Sequence, residues 1–156
     1  MDWFAVFDAL EQTWLAMAIK ESLWYFPAIE AVHLLGLALL GGAILVVDLR
    51  MLGVGLRGQT IHEVAAAAHK WLLLAIGVML ATGIPLFLSE AVKCYFNTSF
   101  WVKMVALVIG LVFTFTIRKR IASSGSASTL TYKLVGAFSI VVWFVVAAAG
   151  RWIGFS

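Results

Sequence analysis

The sequence predicts an all-α integral membrane protein: a four-helix up-down bundle with an N-terminal amphipathic interfacial helix, in a single membrane domain over residues 1–156. Two observations predict this class. Hydrophobic residues make up 63% of the chain and charged residues only 12%, against averages of about 45–50% and about 25% in soluble domains. The apolar residues are also gathered into four runs, each near the roughly 20 residues that a membrane-spanning helix needs.

The N-terminal segment is the first predicted element, an amphipathic helix over about residues 2–18. Its apolar side chains recur at steps of three and four residues, which is the period of one helix face. They are Trp3, Phe7, Leu10, Trp14 and Met17. We expect this helix to lie in the membrane interface, with its tryptophans as anchors, or to pack against the end of the bundle, and the two are compatible.

The four apolar runs predict transmembrane helices over about residues 24–49, 65–89, 99–118 and 130–152. Their connections are short, so we expect consecutive helices to be antiparallel neighbours. Lipid provides no hydrophobic attraction between helices, and small residues let two backbones approach closely. The spans offer such faces in Ala38-x-x-x-Gly42, Gly77-x-x-x-Ala81, Ala106-x-x-x-Gly110 and Gly136.

Lysine and arginine are unevenly divided between the two predicted sides of the membrane. The connections between spans one and two and between spans three and four hold Arg50, Arg57, Lys70, Arg118, Lys119, Arg120 and Lys133. The positive-inside rule places these connections in the cytoplasm and both termini outside. We interpret the cluster Arg118–Arg120 as the flank of a span. The pI near 9.2 then reflects topology, with the lipid bilayer as partner and no nucleic acid.

Three ionisable residues interrupt the first span. Glu30 and Asp48 are 18 positions apart and return to the same angle on an α-helix, with His33 about 60° away. We expect this polar stripe to face the bundle interior, because ionisable groups avoid lipid. For the two acids, pairing with a basic residue is a sufficient explanation. The candidate partners are Arg151 for Glu30, and Arg50 or Lys70 for Asp48.

His33 lies roughly 12 Å below the outer end of a helix that begins near Trp24, and no local feature explains it. We predict that it contacts a cofactor or substrate. Histidines in the core of a four-helix membrane bundle are the usual ligands of a b-type haem iron. A hydrogen bond from the imidazole to a quinone is the alternative.

Haem ligation by this chain is restricted because His33 and His69 are separated by roughly 15 Å along the bundle. Three arrangements remain: His33 with Met79, two copies of His33 across a two-fold axis, or each histidine as the sole ligand of its own haem. Trp143, predicted at the level of His33, either lines the slot of a flat cofactor or fills the core.

Four stretches carry a resemblance to a known family. They are ESLWYFPAIEAVHLLG (residues 21–36), LVVDLR (45–50), LSEAVK (88–93) and AGRWI (149–153). The chain resembles small four-helix inner-membrane proteins of bacteria for which no activity is established. The resemblance covers essentially the whole chain and implies the fold and a multi-pass topology in the bacterial inner (plasma) membrane, with periplasmic termini. It singles out Glu30, His33, Asp48, Arg50, Glu90, Lys93 and Arg151.

A looser similarity is to b-type membrane cytochromes and copper-resistance membrane proteins. Those proteins usually hold paired core histidines, whereas this chain has three histidines at three different depths. Because its histidines lie at different depths, this chain departs from the pattern in which two histidines of one subunit bind one haem iron.

Three functions remain open on the sequence. The first is a membrane electron-transfer component that binds haem b or a quinone near the outer face through His33, with Glu30 orienting the imidazole. The second is a non-catalytic scaffold or anchor subunit that forms a homo-oligomer or joins a larger membrane complex. The third is a small proton-coupled transporter. No Ser-His-Asp, P-loop or dinucleotide pattern predicts a catalytic residue, and Cys94, the one cysteine, is expected to be free.

Overall fold

The computed structural model describes residues 3–155, and every regular element within this range is helical. Residue 2, where the predicted N-terminal helix begins, lies outside the described residues. Two short helices come first, α1 (Trp3–Glu11) and α2 (Trp14–Glu21). The structure thus has two helices where one was predicted, because the chain turns at Thr13, whose backbone is extended (φ −65°, ψ 149°).

Four longer helical stretches follow, and each is long and apolar enough to cross a membrane. They are α3 (Tyr25–Leu52), α4 (Ile61–Ser89), the continuous stretch Thr98–Ser124, and α8 (Thr129–Ile153). The third stretch is made of α6 (Thr98–Phe113), a π-helical turn (Thr114–Arg118) and α7 (Lys119–Ser124), and the short α5 (Ala91–Phe96) precedes it. The predicted all-α fold of a multi-pass membrane protein is confirmed.

Capping residues account for two of the helix ends. α4 begins four residues before the predicted span, because Thr60 and Glu63 form a capping box in which each side chain accepts from the other residue's backbone N–H. α3 runs three residues past its predicted end and stops at Gly53, whose φ of 79° is readily adopted only by glycine.

The spanning helices alternate in direction. On α3, His33 lies opposite Thr82 of α4, while Asp48, near the other end of α3, lies opposite Arg118 of the π-helical turn. One end of the bundle therefore gathers most of the basic residues and is called the basic end below. Its members are Arg50, Arg57, Lys70, Arg118, Lys119, Arg120 and Lys133.

The N-terminal helices pack against the end of the bundle opposite the basic end. Phe7 of α1 is buried, and its ring meets Phe87 of α4 edge-on and lies 5.2 Å from the ring of Tyr95 in α5. Trp3 and Trp14 remain exposed. The expected packing against the bundle end is therefore present, and exposed tryptophans suit the predicted anchoring in the interface.

An apolar layer fills the middle of the bundle. It consists of the buried residues Leu40, Ala43, Ile44, Leu72, Ala75, Trp143 and Val146. Many large apolar side chains on the outer helix faces stay exposed, among them Leu35, Leu74, Val105 and Phe144. A bundle that is apolar both inside and outside is suited to lipid rather than to water.

Some of the small-residue faces predicted to bring helices together do so. A methyl group at Gly136 would lie 3.0 Å from the carbonyl oxygen of Asp48, and one at Gly110 would lie 3.3 Å from the Trp143 ring. Gly42 and Gly77 are different, since both are exposed and a methyl group on either would meet nothing within 4 Å. The motifs that contain them are therefore not used within one chain.

Candidate functional site

Two groups of polar residues stand inside the spanning helices, on opposite sides of the apolar layer. The first, called the His33 site, comprises His33, Thr82, Gly83 and Lys103. The second, at the basic end, is an ion pair between Asp48 and Arg118. The two differ in burial and in how completely their hydrogen-bonding groups are used.

The imidazole of His33 is held in one orientation by α4. Its Nδ1 lies 2.8 Å from the hydroxyl of Thr82, and that hydroxyl donates to the carbonyl oxygen of Val78 at 2.7 Å. A hydroxyl has one proton, so Thr82 accepts a hydrogen bond from Nδ1–H. When the Thr82 hydroxyl donates to Val78 in this way, His33 is protonated at Nδ1, and Nε2 is then an acceptor that no other described residue uses.

Gly83 and Lys103 complete the His33 site. The imidazole lies against the backbone of α4, since a methyl group at Gly83 would be 3.2 Å from the ring carbon Cε1. Lys103 of α6 lies on the same side of the apolar layer, and its amine sits against Gly150 of α8. The site thus combines a ring nitrogen with a partly buried lysine amine, and neither has a hydrogen-bond partner among the described residues.

The acidic residue expected to orient His33 lies elsewhere. Glu30 is exposed, and the polar stripe therefore does not face the interior along its whole length, because most of residues 25–32 have no neighbouring helix over them. The expected pairing of Glu30 with Arg151 is not formed. Arg151 instead lies over the ring of Phe155, 4.5 Å from its centroid.

Two other residues singled out by the resemblance pair with each other. Glu90 follows α4, and its carboxylate lies 3.8 Å from the amine of Lys93 in α5. Both side chains are well exposed, so this contact is a weak surface ion pair.

Of the four residues predicted to bind a cofactor, His33 and Met79 lie near each other, whereas Trp143 and His69 lie elsewhere. Met79 packs on the apolar layer, with its sulfur beside Gly36, one turn along α3 from His33. Trp143 belongs to the apolar layer itself, at the level of residues 40–44 of α3, roughly 10–16 Å deeper than His33. His69 is exposed at the basic end. The prediction that Trp143 lies at the depth of His33 was wrong. It assumed that α3 and α8 end at the same height, but α3 extends well beyond the end of α8. Two residues equally far from these helix ends therefore lie at different depths in the bundle.

At the basic end, Asp48 is fully buried and Arg118 is 6% exposed. Arg118 Nε donates to Asp48 Oδ1 at 2.6 Å, and Nη2 donates to the carbonyl oxygen of Ile44 at 2.9 Å. The predicted partners of Asp48 are occupied differently: Arg50 donates to the Gln59 carbonyl, and Lys70 lies over the Trp71 ring. Asp48 is thus an interior residue whose partner comes from another span.

The π-helical turn brings two polar side chains inward on α6–α7. In addition to Arg118, it carries Thr114, whose hydroxyl accepts from the indole N–H of Trp143 at 3.1 Å. Ser139 of α8 faces the Asp48 carboxylate. Asp48 Oδ2 and Ser139 Oγ are nevertheless the two buried side-chain atoms without a hydrogen-bond partner among the described residues.

Sequence reasoning missed Arg118, Thr82 and Lys103. Arg118 was interpreted as part of a basic flank, because a run of three basic residues at the end of a span usually lies at the surface. Thr82 and Lys103 gave a weak signal, being polar residues placed within otherwise apolar runs. The pairing of each with His33 or Asp48 depends on the rotation of a second helix, which the periodicity of one helix does not determine.

Cys94 is a free, buried thiol in α5. Burial raises the pKa of Cys94 to about 11, so the thiol stays protonated near neutral pH. A protonated thiol is a poor metal ligand and nucleophile. Within the described residues there is also no group of three or more His, Cys, Asp or Glu side chains that would hold a metal ion.

The described residues offer a haem iron one clear ligand, the free ring nitrogen of His33. His69 lies at the other end of the bundle and cannot share an iron with His33. The sulfur of Met79 lies beside Gly36, one turn along α3 from His33, while Met79 also packs on the apolar layer. His33 with Met79, His33 alone, or two copies of His33 from two chains are the arrangements that remain for a haem.

The family model described as "Family of unknown function (DUF6644)" matches residues 9–156. No curated protein and no solved structure matches the chain. The expectation of an uncharacterised family is confirmed, whereas the looser similarity to cytochromes is not shown. Since the match covers nearly the whole sequence, the chain belongs to this family.

Proposed function

We propose that this family member is a membrane electron-transfer component that binds a quinone at the His33 site. The observation that carries the proposal is the position of His33: Nδ1 is held by Thr82, and Nε2 has no partner among the described residues at a partly exposed site in a spanning helix. An ionisable group in a membrane span is costly, and such groups usually serve a function. Nothing in the described protein uses this nitrogen.

The chemistry of the His33 site suits a quinol and its oxidised form. A quinol hydroxyl donates a hydrogen bond to Nε2 of the imidazole. The ammonium group of Lys103 stabilises negative charge on a quinone oxygen, an effect that is strong in a medium of low dielectric constant. Quinones dissolve in the bilayer and reach a site that is open on the lipid side of a bundle.

The chain acts in this role as one subunit of a larger assembly. The two electrons of the quinol pass to a redox centre of a partner protein, such as a haem or an iron–sulfur cluster, and its two protons pass to water. The exposed small-residue faces around Gly42 and Gly77 leave room for close helix contacts with such a partner. The partner is either a second copy of this chain, in a homo-oligomer, or another subunit of a membrane complex.

Photoaffinity labelling tests the proposal. Membranes containing the full chain are illuminated with a photoreactive short-chain quinone, and the labelled peptides are identified by mass spectrometry. We expect labelling of α3 and α4 near His33 that an excess of unmodified quinone suppresses. His33→Leu should abolish it, because leucine keeps the approximate volume and offers no acceptor, while His69→Leu serves as a matched control and should leave it unchanged.

A reduced-minus-oxidised absorption spectrum of the purified protein, expressed with ample haem supply, separates the competing functions. Soret and α bands in the wild-type spectrum that disappear in His33→Ala would show that the protein binds a b-type haem through His33 instead of a quinone. A colourless protein without quinone labelling would contradict both and favour the scaffold. Labelling that survives His33→Leu would place the quinone away from this site.

A further inference from the structure

The basic end holds a cavity of about 320 Å³ between α3, α4 and the π-helical turn. Its floor is apolar, formed in part by Ala43, Val47, Leu72 and Phe115. Three alanines form much of the wall on α4, namely Ala65, Ala66 and Ala68. Alanine side chains end at Cβ, so this wall leaves space in front of Arg118 that longer side chains would fill.

Basic side chains surround the entrance of the cavity. Arg118 and Lys119 line it from the π-helical turn and α7, and His62 and His69 line it from α4. The histidines are seven residues apart and so lie on one helix face. None of the residues that line the cavity carries a carboxylate. The nearby Glu63 is engaged in the cap of α4, and Asp48 lies behind Arg118.

Arg118 has hydrogen-bonding capacity that the protein does not use. Its guanidinium group has five N–H donors. Nε donates to Asp48 and Nη2 to Ile44, whereas Nη1 donates to no described residue. The side chain is 6% exposed and lines the cavity. Nη1 is not among the buried atoms left without a partner, so it is open to the cavity and free to donate to an acceptor bound there.

We propose that this cavity binds a phosphate group, carried by an anionic phospholipid or by a small soluble phosphate ester. Arginine and lysine recognise phosphate oxygens through charge-assisted hydrogen bonds, and basic pockets between spanning helices are known to take lipid head groups. The apolar floor suits the first carbons of an acyl chain. The site is separate from the His33 site, and the apolar layer lies between them.

Binding is measured by native mass spectrometry and by thermal shift of the purified full chain. The probes are short-chain phosphatidylglycerol, diacylglycerol with the same acyl chains but no phosphate, and glycerol 1-phosphate. We expect phosphatidylglycerol to bind and diacylglycerol not to bind. Binding of glycerol 1-phosphate in addition would identify a soluble ester as sufficient, and its failure to bind would identify the lipid as the source.

Three variants localise the binding. Lys119→Gln should weaken phosphatidylglycerol binding about fivefold, and Ala66→Met should abolish it by filling the cavity without changing charge. Arg120→Gln removes the same charge from the adjacent exposed position, which does not line the cavity, and should have little effect. All three positions are exposed, so the fold is retained, and Arg118 is left in place because it holds Asp48.

The proposal is overturned by any of three results. Diacylglycerol binding as tightly as phosphatidylglycerol would show that the phosphate is not recognised. An equal loss in Arg120→Gln and Lys119→Gln would indicate general attraction to a basic surface. Unchanged binding in Ala66→Met would place the lipid outside the cavity.

Discussion

The His33 site and the Asp48–Arg118 pair are both polar groups inside apolar helices, yet they differ in what they leave unused. Asp48 is fully enclosed, and its charge is met by a guanidinium group at 2.6 Å. His33 is partly exposed and uses one of its two ring nitrogens. The comparison indicates that the first group holds helices together, whereas the second is arranged to meet a molecule from outside.

The largest expected effect comes from removing one member of the buried pair. Arg118→Met leaves Asp48 buried without a counter-charge and should lower the free energy of unfolding by about 3–5 kcal/mol. Replacing both residues, as Asp48→Leu with Arg118→Met, should recover much of this loss. Thermal unfolding of the purified variants in detergent measures both effects. A double variant less stable than Arg118→Met would contradict the structural role.

Close helix contact beside the buried pair should be the next most sensitive feature. A methyl group at Gly136 would lie 3.0 Å from the Asp48 carbonyl oxygen and 3.1 Å from Met51 Cβ, so α8 must move away from α3. Gly136→Ala should cost about 1–3 kcal/mol. Gly77→Ala is the matched control, because its methyl group meets nothing within 4 Å, and its unfolding temperature should not fall.

At the His33 site, substitutions should change ligand binding more than stability. Thr82→Val keeps the shape of the side chain but removes the hydroxyl that is hydrogen-bonded to Nδ1, so the imidazole loses its fixed orientation. We expect quinone labelling to need about fivefold more probe, the equivalent of one hydrogen bond worth about 1 kcal/mol, with nearly unchanged thermal unfolding. Thr82→Ser should restore labelling. If serine fails to rescue, the hydroxyl does not act through His33.

The smallest expected effect is the pH dependence of the N-terminal helices. Glu11 accepts hydrogen bonds from Lys20 and from the Val92 backbone N–H. Burial acts to raise the pKa of Glu11, but these hydrogen bonds outweigh it and the pKa lies below its ordinary value. The contact is therefore complete above the ordinary glutamate pKa and is lost as the pH falls through the lower value in the folded protein.

Hydrogen exchange at Val92 measures this contact. After correction for the intrinsic exchange rate, which itself falls as the pH is lowered, acidification should reduce the protection of the Val92 amide by a factor that corresponds to less than about 1 kcal/mol, as expected of a largely surface contact. Glu11→Gln should remove the acid dependence. An unchanged pH profile in Glu11→Gln would assign the titration to another group.

The four spans and their alternating directions were predicted from the sequence, because the length and hydropathy of a helix depend directly on whether it crosses a membrane. The sequence also singled out His33 and Asp48 correctly as residues that need an explanation. It did not predict that Arg118 is the partner of Asp48, that Glu30 is exposed, or that Trp143 lies deeper than His33. Each of these depends on how one helix is rotated and shifted against another, and this is set by packing at residues such as Gly110 and Gly136 rather than by local pattern.

The π-helical turn at Thr114–Arg118 has a consequence for comparing relatives of this chain. Such a turn accommodates one residue more than an α-helix of the same length. A relative with one residue fewer within 114–118 would continue the α-helix there, and its basic side chain would be rotated by about 100° away from α3. We expect such relatives to have lost the acid at position 48 as well, so that gap and substitution are inherited together.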